Sequence, residues 1–265
     1  MSLDLTTGQK LHITLRIATA MCFIGHGAFG IITKPIWCNY FAVFGIGSAT
    51  AYKLMPIVGT FDVLAGITLL LYPLRIIPAW LVVWGLVTAS LRPLSGEPFA
   101  ELLERAGNFG APLALLLLSA TQSSGAGLKQ WFRKLDPSPQ LTPQTYTKVF
   151  TCLRIAGFLL LLGHGWLNLI EKKGLISGYQ SLGFSNPAAI AHAAGLFEIA
   201  GALIILIRPL RPLILALFIW KVSTELFYPH YEMFEWIERG GSYGVLLALW
   251  FLSKEKTFTH IPLAT

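Results

Sequence analysis

Charge is scarce in this chain. Only 12% of its 265 residues are Asp, Glu, Lys or Arg, against roughly a quarter in a soluble domain, while 54% are apolar and the mean hydropathy is +0.63. That balance excludes both an ordinary water-soluble globule and a disordered chain. Cysteine is scarce too. Cys22, Cys38 and Cys152 have no CxxC spacing and no even pairing, which argues against a disulfide framework and a zinc site. No nucleophile elbow, phosphate loop, dinucleotide fingerprint or kinase signature occurs, and the Glu-x-x-His motif of di-iron bundles is missing. No metal site is expected.

What the chain has instead is a series of apolar runs. Eight are candidate spans, near Leu15–Ile32, Leu54–Tyr72, Ile76–Leu91, Ala106–Ala120, Cys152–Ile170, Pro187–Ile207, Leu213–Tyr228 and Gly240–Leu252. A span needs about 20 mostly apolar residues, fewer when aromatic and charged residues flank it. The pairs joined at Pro73-Leu74-Arg75 and Pro209-Leu210-Arg211 turn tightly, because proline stops a helix and arginine anchors it at the headgroups. The first run has no small-residue cleavage site, so no removable signal peptide is expected.

An even number of spans puts both ends of the chain on one side, together with the two Pro-Leu-Arg turns and the segment Thr121–Lys148. That side carries a charge balance of +9, from Lys10, Arg16, Arg75, Lys129, Arg133, Lys134, Lys148, Arg154, Arg208, Arg211, Lys254 and Lys256 against Asp4, Asp136 and Glu255. The rest of the chain balances at −2. The positive-inside rule makes the basic side cytoplasmic in a bacterial-type inner membrane. The basic run Lys129–Lys134, with Trp131 and Phe132, suits anionic lipid rather than nucleic acid.

The sequence repeats itself. Leu15-Arg16-Ile17-Ala18 returns as Leu153-Arg154-Ile155-Ala156, Gly25-His26-Gly27 as Gly163-His164-Gly165, and Lys34 as Lys172. Phe61-Asp62 matches Phe197-Glu198, and Trp84 matches Trp220. Glu101-x-x-Glu104-Arg105-x-x-Asn108 matches Glu235-x-x-Glu238-Arg239-x-x-Ser242. The order is kept while the offset drifts from 138 to 134. The expected fold is therefore an all-α integral membrane protein with eight transmembrane helices, a tandem repeat of two four-helix bundles in the same orientation. Residues 1–125 form the first repeat, 126–149 a cytoplasmic linker and 150–265 the second repeat.

Three polar groups fall at the end away from the linker. His26 and His164 sit between glycines, which let a neighbouring helix or a flat ligand come close. Asp62 and Glu198 lie well inside their spans, where a carboxylate costs about 2.5–3.5 kcal/mol and needs a partner. The Glu101/Glu104/Arg105/Asn108 spacing puts all four on one helical face and allows an i,i+4 pair, as does its copy. Acids in a first helical turn also suit the helix dipole by themselves. Only the second half adds Lys221 and Glu225, where the first has Gly85 and Ala89. Arg92 and Glu97, and Tyr228, His230 and Glu232, belong to the same outer connections. The candidate polar site is thus His164, Glu198, Glu225 and Glu238 with His230 at its mouth. Its counterpart in the first half is His26, Asp62, Glu104 and Arg105. A hydrogen-bonded lock between helices is the plainer reading of each group.

These residues resemble the DoxX-like family of small four-helix membrane proteins. The resemblance rests on Arg16…His26-Gly27 and Arg154…His164-Gly165, and on Asp62…Ala65-Gly66 and Glu198…Gly201-Ala202. The chain departs from the family pattern in fusing two units and in its Glu-x-x-Glu-Arg segments. The resemblance implies a subunit or partner of a membrane redox system linked to quinone. Quinone and haem are the cofactors left open, and the partners are the bilayer and other membrane subunits. Two alternatives stand beside it: an assembly subunit without chemistry, and a small solute or proton carrier, although no sign of a discontinuous helix is legible.

Overall fold

The computed structural model describes residues 5–119, 127–226 and 233–254. Helices occur throughout, and no strand is found among the described residues. The first half holds α1 (Thr7–Ile31), α2 (Trp37–Ala42), α3 (Ser48–Leu71), α4 (Ile76–Leu94), α5 (Ala100–Glu104) and α6 (Ala106–Leu118). The second holds α7 (Pro143–Leu169), α8 (Lys173–Ser181), α9 (Pro187–Ile207), α10 (Arg211–Leu226), α11 (Met233–Glu238) and α12 (Gly240–Leu252). Five helices (α1, α3, α4, α7 and α9) are long and apolar enough to cross a membrane. The chain is an α-helical, multi-pass membrane protein.

The helix starts follow local chemistry. Thr6 caps α1 through the Gln9 amide, and the Gln9 side chain returns the bond to the Thr6 nitrogen. Thr142 and Asn186 cap α7 and α9, each followed by proline at the first helical position.

Packing sorts the helices into an inner and an outer set. In α1, 61% of the most apolar window is buried, against 28% in α3 and 22% in α4. Ile57, Leu64, Leu71, Val83, Leu196 and Ile207 point outward from α3, α4 and α9, apolar surface that lipid covers. Inside, α1, α6, α7 and α12 pack together, so one continuous core of buried residues runs through both halves. The two expected units therefore share their core. Glycine makes the closest crossings. Gly27 meets the Gly59 backbone, Gly165 meets the Gly195 backbone at 2.8 Å for an added Cβ, and Gly107 meets Gly241 and Ser242.

The two ends differ in chemistry. At one end, the Pro73-Leu74 turn pairs with the linker: Arg75 N donates to Arg133 O at 3.0 Å and Leu135 N to Pro73 O at 2.8 Å. Near this end Arg16 donates to the last carbonyls of α3, Leu69 and Leu70, and Arg154 donates to Leu206 at the end of α9. A cation at a helix C-terminus neutralises its dipole and bonds its free carbonyls, which accounts for the repeated arginine. The opposite end carries α2, α5, α8 and α11, with Glu101, Glu104, Glu235 and Glu238.

Candidate functional site

The repeated Gly-His-Gly step explains itself once the neighbours are in place. His26 Nδ1 lies 2.8 Å from Asp62 Oδ2 across the α1–α3 crossing. His164 Nδ1 lies 2.5 Å from Glu198 Oε2 across α7–α9. The glycines on either side admit a second helix. Gly25 touches the backbone of α11 at Glu238, and Gly163 touches the backbone of α5 at Glu104. An imidazole is thus held between one helix that supplies a carboxylate and another that packs on bare backbone.

The halves are cross-connected there, and one polar cavity takes His164, Glu104 and Glu238 into its wall. Glu238, placed with His164 from the sequence, lies beside His26, and Glu104, placed with His26, lies on the His164 side. The reason is that α5 packs on α7 and α11 on α1, each against the other half. The ion pairs follow the same exchange. Lys34 pairs with Glu235 at 2.8 Å, Lys172 with Glu101, and Arg239 with Glu104 at 2.5 Å. Arg105 holds Glu101 at 2.6 Å and Glu104 at 3.0 Å. Lys34, Lys172, Glu104, Arg105, Glu235 and Arg239 line a polar cavity of about 240 Å³ that also reaches His164.

An arginine separates α5 from α6 and another separates α11 from α12, a feature not legible in the sequence. Arg105 (φ −87°, ψ 14°) separates α5 from α6, and Arg239 (φ −79°, ψ 5°) separates α11 from α12. The turn closes through shorter bonds, Asn108 N to Arg105 O at 2.9 Å and Ser242 N to Arg239 O at 3.0 Å.

The second half carries the fuller cluster. Glu198 Oε1 accepts from Trp220 Nε1 at 2.9 Å and faces Lys221 Nζ at 3.9 Å. Lys221 lies 3.5 Å from Glu225, whose other oxygen lies 3.0 Å from Arg239 Nε. Asn168 Nδ2 lies 3.3 Å from His164 Nδ1, and Tyr179 donates to Asn168 Oδ1 at 2.9 Å. The sequence reading did not single out Trp220, Asn168 or Tyr179 as site residues. The Asn four residues after His164, one turn on, was the available signal. Burial pushes the Tyr179 phenol up to about 12, so it remains a neutral donor. Tyr228, His230 and Glu232 lie outside the described residues, so His230 at the mouth has no structural account.

Beside this cluster opens an apolar cavity of about 610 Å³ between α8, α9 and α10, with His164, Tyr179, Trp220 and Thr224 among its walls. The corresponding space in the first half measures about 90 Å³. There the Trp37 ring lies against His26 with centroids 4.7 Å apart and planes 33° apart, and Tyr40 donates to Glu97 at 2.6 Å. Arg92 holds Glu97 at 3.1 Å and lies over the Tyr40 ring. Burial raises the Glu97 carboxyl, but Arg92 and the Tyr40 hydroxyl outweigh it and hold the group below its ordinary value. Burial raises Tyr40 in turn.

Among the described residues no three His, Cys, Asp or Glu side chains cluster as a metal centre requires. Haem fits the large cavity poorly. It would find one imidazole, and no Lys or Arg lines the cavity to meet its propionates. A quinone-sized ring with an apolar tail matches both the volume and the single polar end.

No family model, curated protein or solved structure matches this chain.

Proposed function

We propose that this chain is a DoxX-like integral membrane subunit of a quinone-linked redox system, with its working site in the second half. The observation that carries the reading is the buried His164–Glu198–Trp220 cluster at one wall of an apolar cavity of about 610 Å³. Eight spans in two like-oriented repeats about an axis along the membrane normal underlie it, with the basic linker end in the cytoplasm of a bacterial-type inner membrane. A quinone supplies two-electron chemistry when bound. The chain's own residues bind and orient its ring. Trp220 and Glu198 fix the imidazole, His164 accepts from the hydroxyl of the head in its reduced, hydroquinone form, and Phe197 and Leu175 exclude water. The electron partner would be another subunit of the membrane complex.

The test is to extract the purified protein with organic solvent and identify the bound lipids by mass spectrometry. About one quinone per chain, counted as quinone plus hydroquinone, is expected from the wild type, and a tenth of that or less from His164→Ala. A wild-type preparation without quinone, from cells that make it, would remove the reading.

A carrier for a small solute or proton is the second reading. It is favoured by the breaks at Arg105 and Arg239, since discontinuous helices in matching places of two repeats mark transport sites in many carriers. Flux in vesicles that depends on Glu104 and Glu238, with no bound quinone, would favour it.

A further inference from the structure

We infer that the second half holds a single site for a lipid-soluble phenol or hydroquinone, opened by Leu175 and Gly178 and read at its head by His164. The inference rests on the second-half site proposed above and narrows it to a ring that donates a hydroxyl.

Both halves carry the same set of side chains: an imidazole, a carboxylate, a tryptophan and a threonine. These are His26, Asp62, Trp84 and Thr88 in one, and His164, Glu198, Trp220 and Thr224 in the other. Yet one space is about 90 Å³ and the other about 610 Å³. Two differences in the short helix after each lysine lie in the walls of these spaces. Three residues past Lys34 stands Trp37, packed against His26; three past Lys172 stands Leu175. Six past Lys34 stands Tyr40, tied to Glu97; six past Lys172 stands Gly178. An indole and a phenol plug the first space. An isobutyl group and a bare Cα leave the second open.

The hydrogen bonds around the imidazole decide which head the open space takes. Glu198 accepts from Trp220 at one oxygen and meets His164 Nδ1 at the other, so the carboxylate is the acceptor and Nδ1 carries the proton. In the neutral ring Nε2 keeps a lone pair that can accept, and among the described residues no hydrogen bond reaches it. Tyr179 and Thr224 spend their hydroxyl protons on Asn168 and on the Trp220 carbonyl. The remaining wall is aliphatic and aromatic. A site of this kind discriminates strongly between a ligand that donates to Nε2 and an isostere that cannot, because the unpaired polar atom stays buried. A hydroxyl on a ring satisfies it, and a methyl ether of the same size does not.

The test uses the full chain in lipid vesicles and a photoactivatable alkylphenol with a diazirine on its tail. One label per chain is expected, on peptides from α8, α9 or α10. Decylphenol and decylhydroquinone should compete at least tenfold better than decylanisole, the methyl ether. Leu175→Trp and Gly178→Tyr should each cut labelling at least tenfold, while Trp37→Leu leaves the second-half label within twofold. Equal competition by the ether, equal label on α1–α4, or normal labelling of the filled variants would each overturn the inference. Should a filled variant not be recovered as monodisperse protein, the wild-type label map and the ether comparison decide it alone. Specific phenol labelling without quinone in the purified protein would uphold this site and remove the wider redox reading.

Discussion

The backbone of Glu238 lies directly against Gly25, so that each half of the molecule closes the histidine site of the other. An added Cβ on Gly25 would fall on the Glu238 nitrogen, and one on Gly163 would fall on the Glu104 nitrogen. Backbone cannot swing aside as a flexible side chain can. Gly25→Ala and Gly163→Ala should therefore each destabilise by about 2–3 kcal/mol through overpacking. Gly174→Ala, with nothing within 4 Å of its Cβ, should be neutral or stabilising. Thermal unfolding in detergent, followed by Trp fluorescence, measures all three, and equal effects would contradict the close approach.

Glu198 accepts from two donors with a lysine nearby. Glu198→Gln keeps an oxygen for one of them and is expected to cost about 1–3 kcal/mol. Glu198→Leu leaves His164, Trp220 and Lys221 without their acceptor, at about 3–5 kcal/mol. A leucine variant as stable as the glutamine variant would show that the pairing contributes nothing.

The Tyr40–Glu97–Arg92 group sets a pH window. Glu97 is held below its ordinary value, so its contribution is present above the unfolded carboxyl range and is lost as pH falls through the folded value. Tyr40 is raised, so its contribution is present below about 10, the ordinary phenol value, and is lost as pH rises through the folded value. Melting temperature should fall below about pH 4.3 and again in the alkaline range. Tyr40→Phe should abolish the alkaline component and weaken the acid one. An unchanged alkaline limb in Tyr40→Phe would assign it to another group.

Thr33 (φ 56°) and Glu171 (φ 54°) stand where a helix end favours glycine. Lys34 N reaches back to Phe29 O at 3.0 Å, and Lys172 N to Leu167 O at 3.1 Å, the six-to-one bond of a left-handed helix stop. Thr33→Gly should stabilise by about 0.5–1 kcal/mol, since the left-handed conformation costs a β-branched residue more than glycine loses in chain entropy. A lowered melting temperature would mean that the Thr33 side chain makes a contact that offsets this strain.

Topology has a reporter at each end. Cys38 lies in α2 at the acidic end, and Lys134 lies in the basic linker. A membrane-impermeant maleimide applied to intact cells should label Cys38, but should label Lys134→Cys in a Cys38→Ser background only after permeabilisation. The opposite pattern would reverse the orientation.

The linear sequence by itself determined the apolar composition, the positions of the long helices and the repeated motifs. It also determined the contacts whose partners lie one turn away. Glu101–Arg105 and Lys221–Glu225 are i,i+4 pairs, and helical periodicity alone brings such residues together. Asp62 and Glu198 could be matched to their histidines because matching positions in each repeat imply matching depth. Tertiary structure alone decided which half completes which site. Glu104 and Glu238 occupy identical places in their motifs, and nothing local distinguishes docking on the same half from docking on the other. The choice belongs to the α1, α6, α7 and α12 core, where glycine crossings fix which backbones can touch. The same holds for the cavity. Leu175 and Gly178 read as unremarkable residues of a short segment, and their effect exists only because α8 lies across His164. A missing side chain becomes a space only when its neighbours are fixed around it.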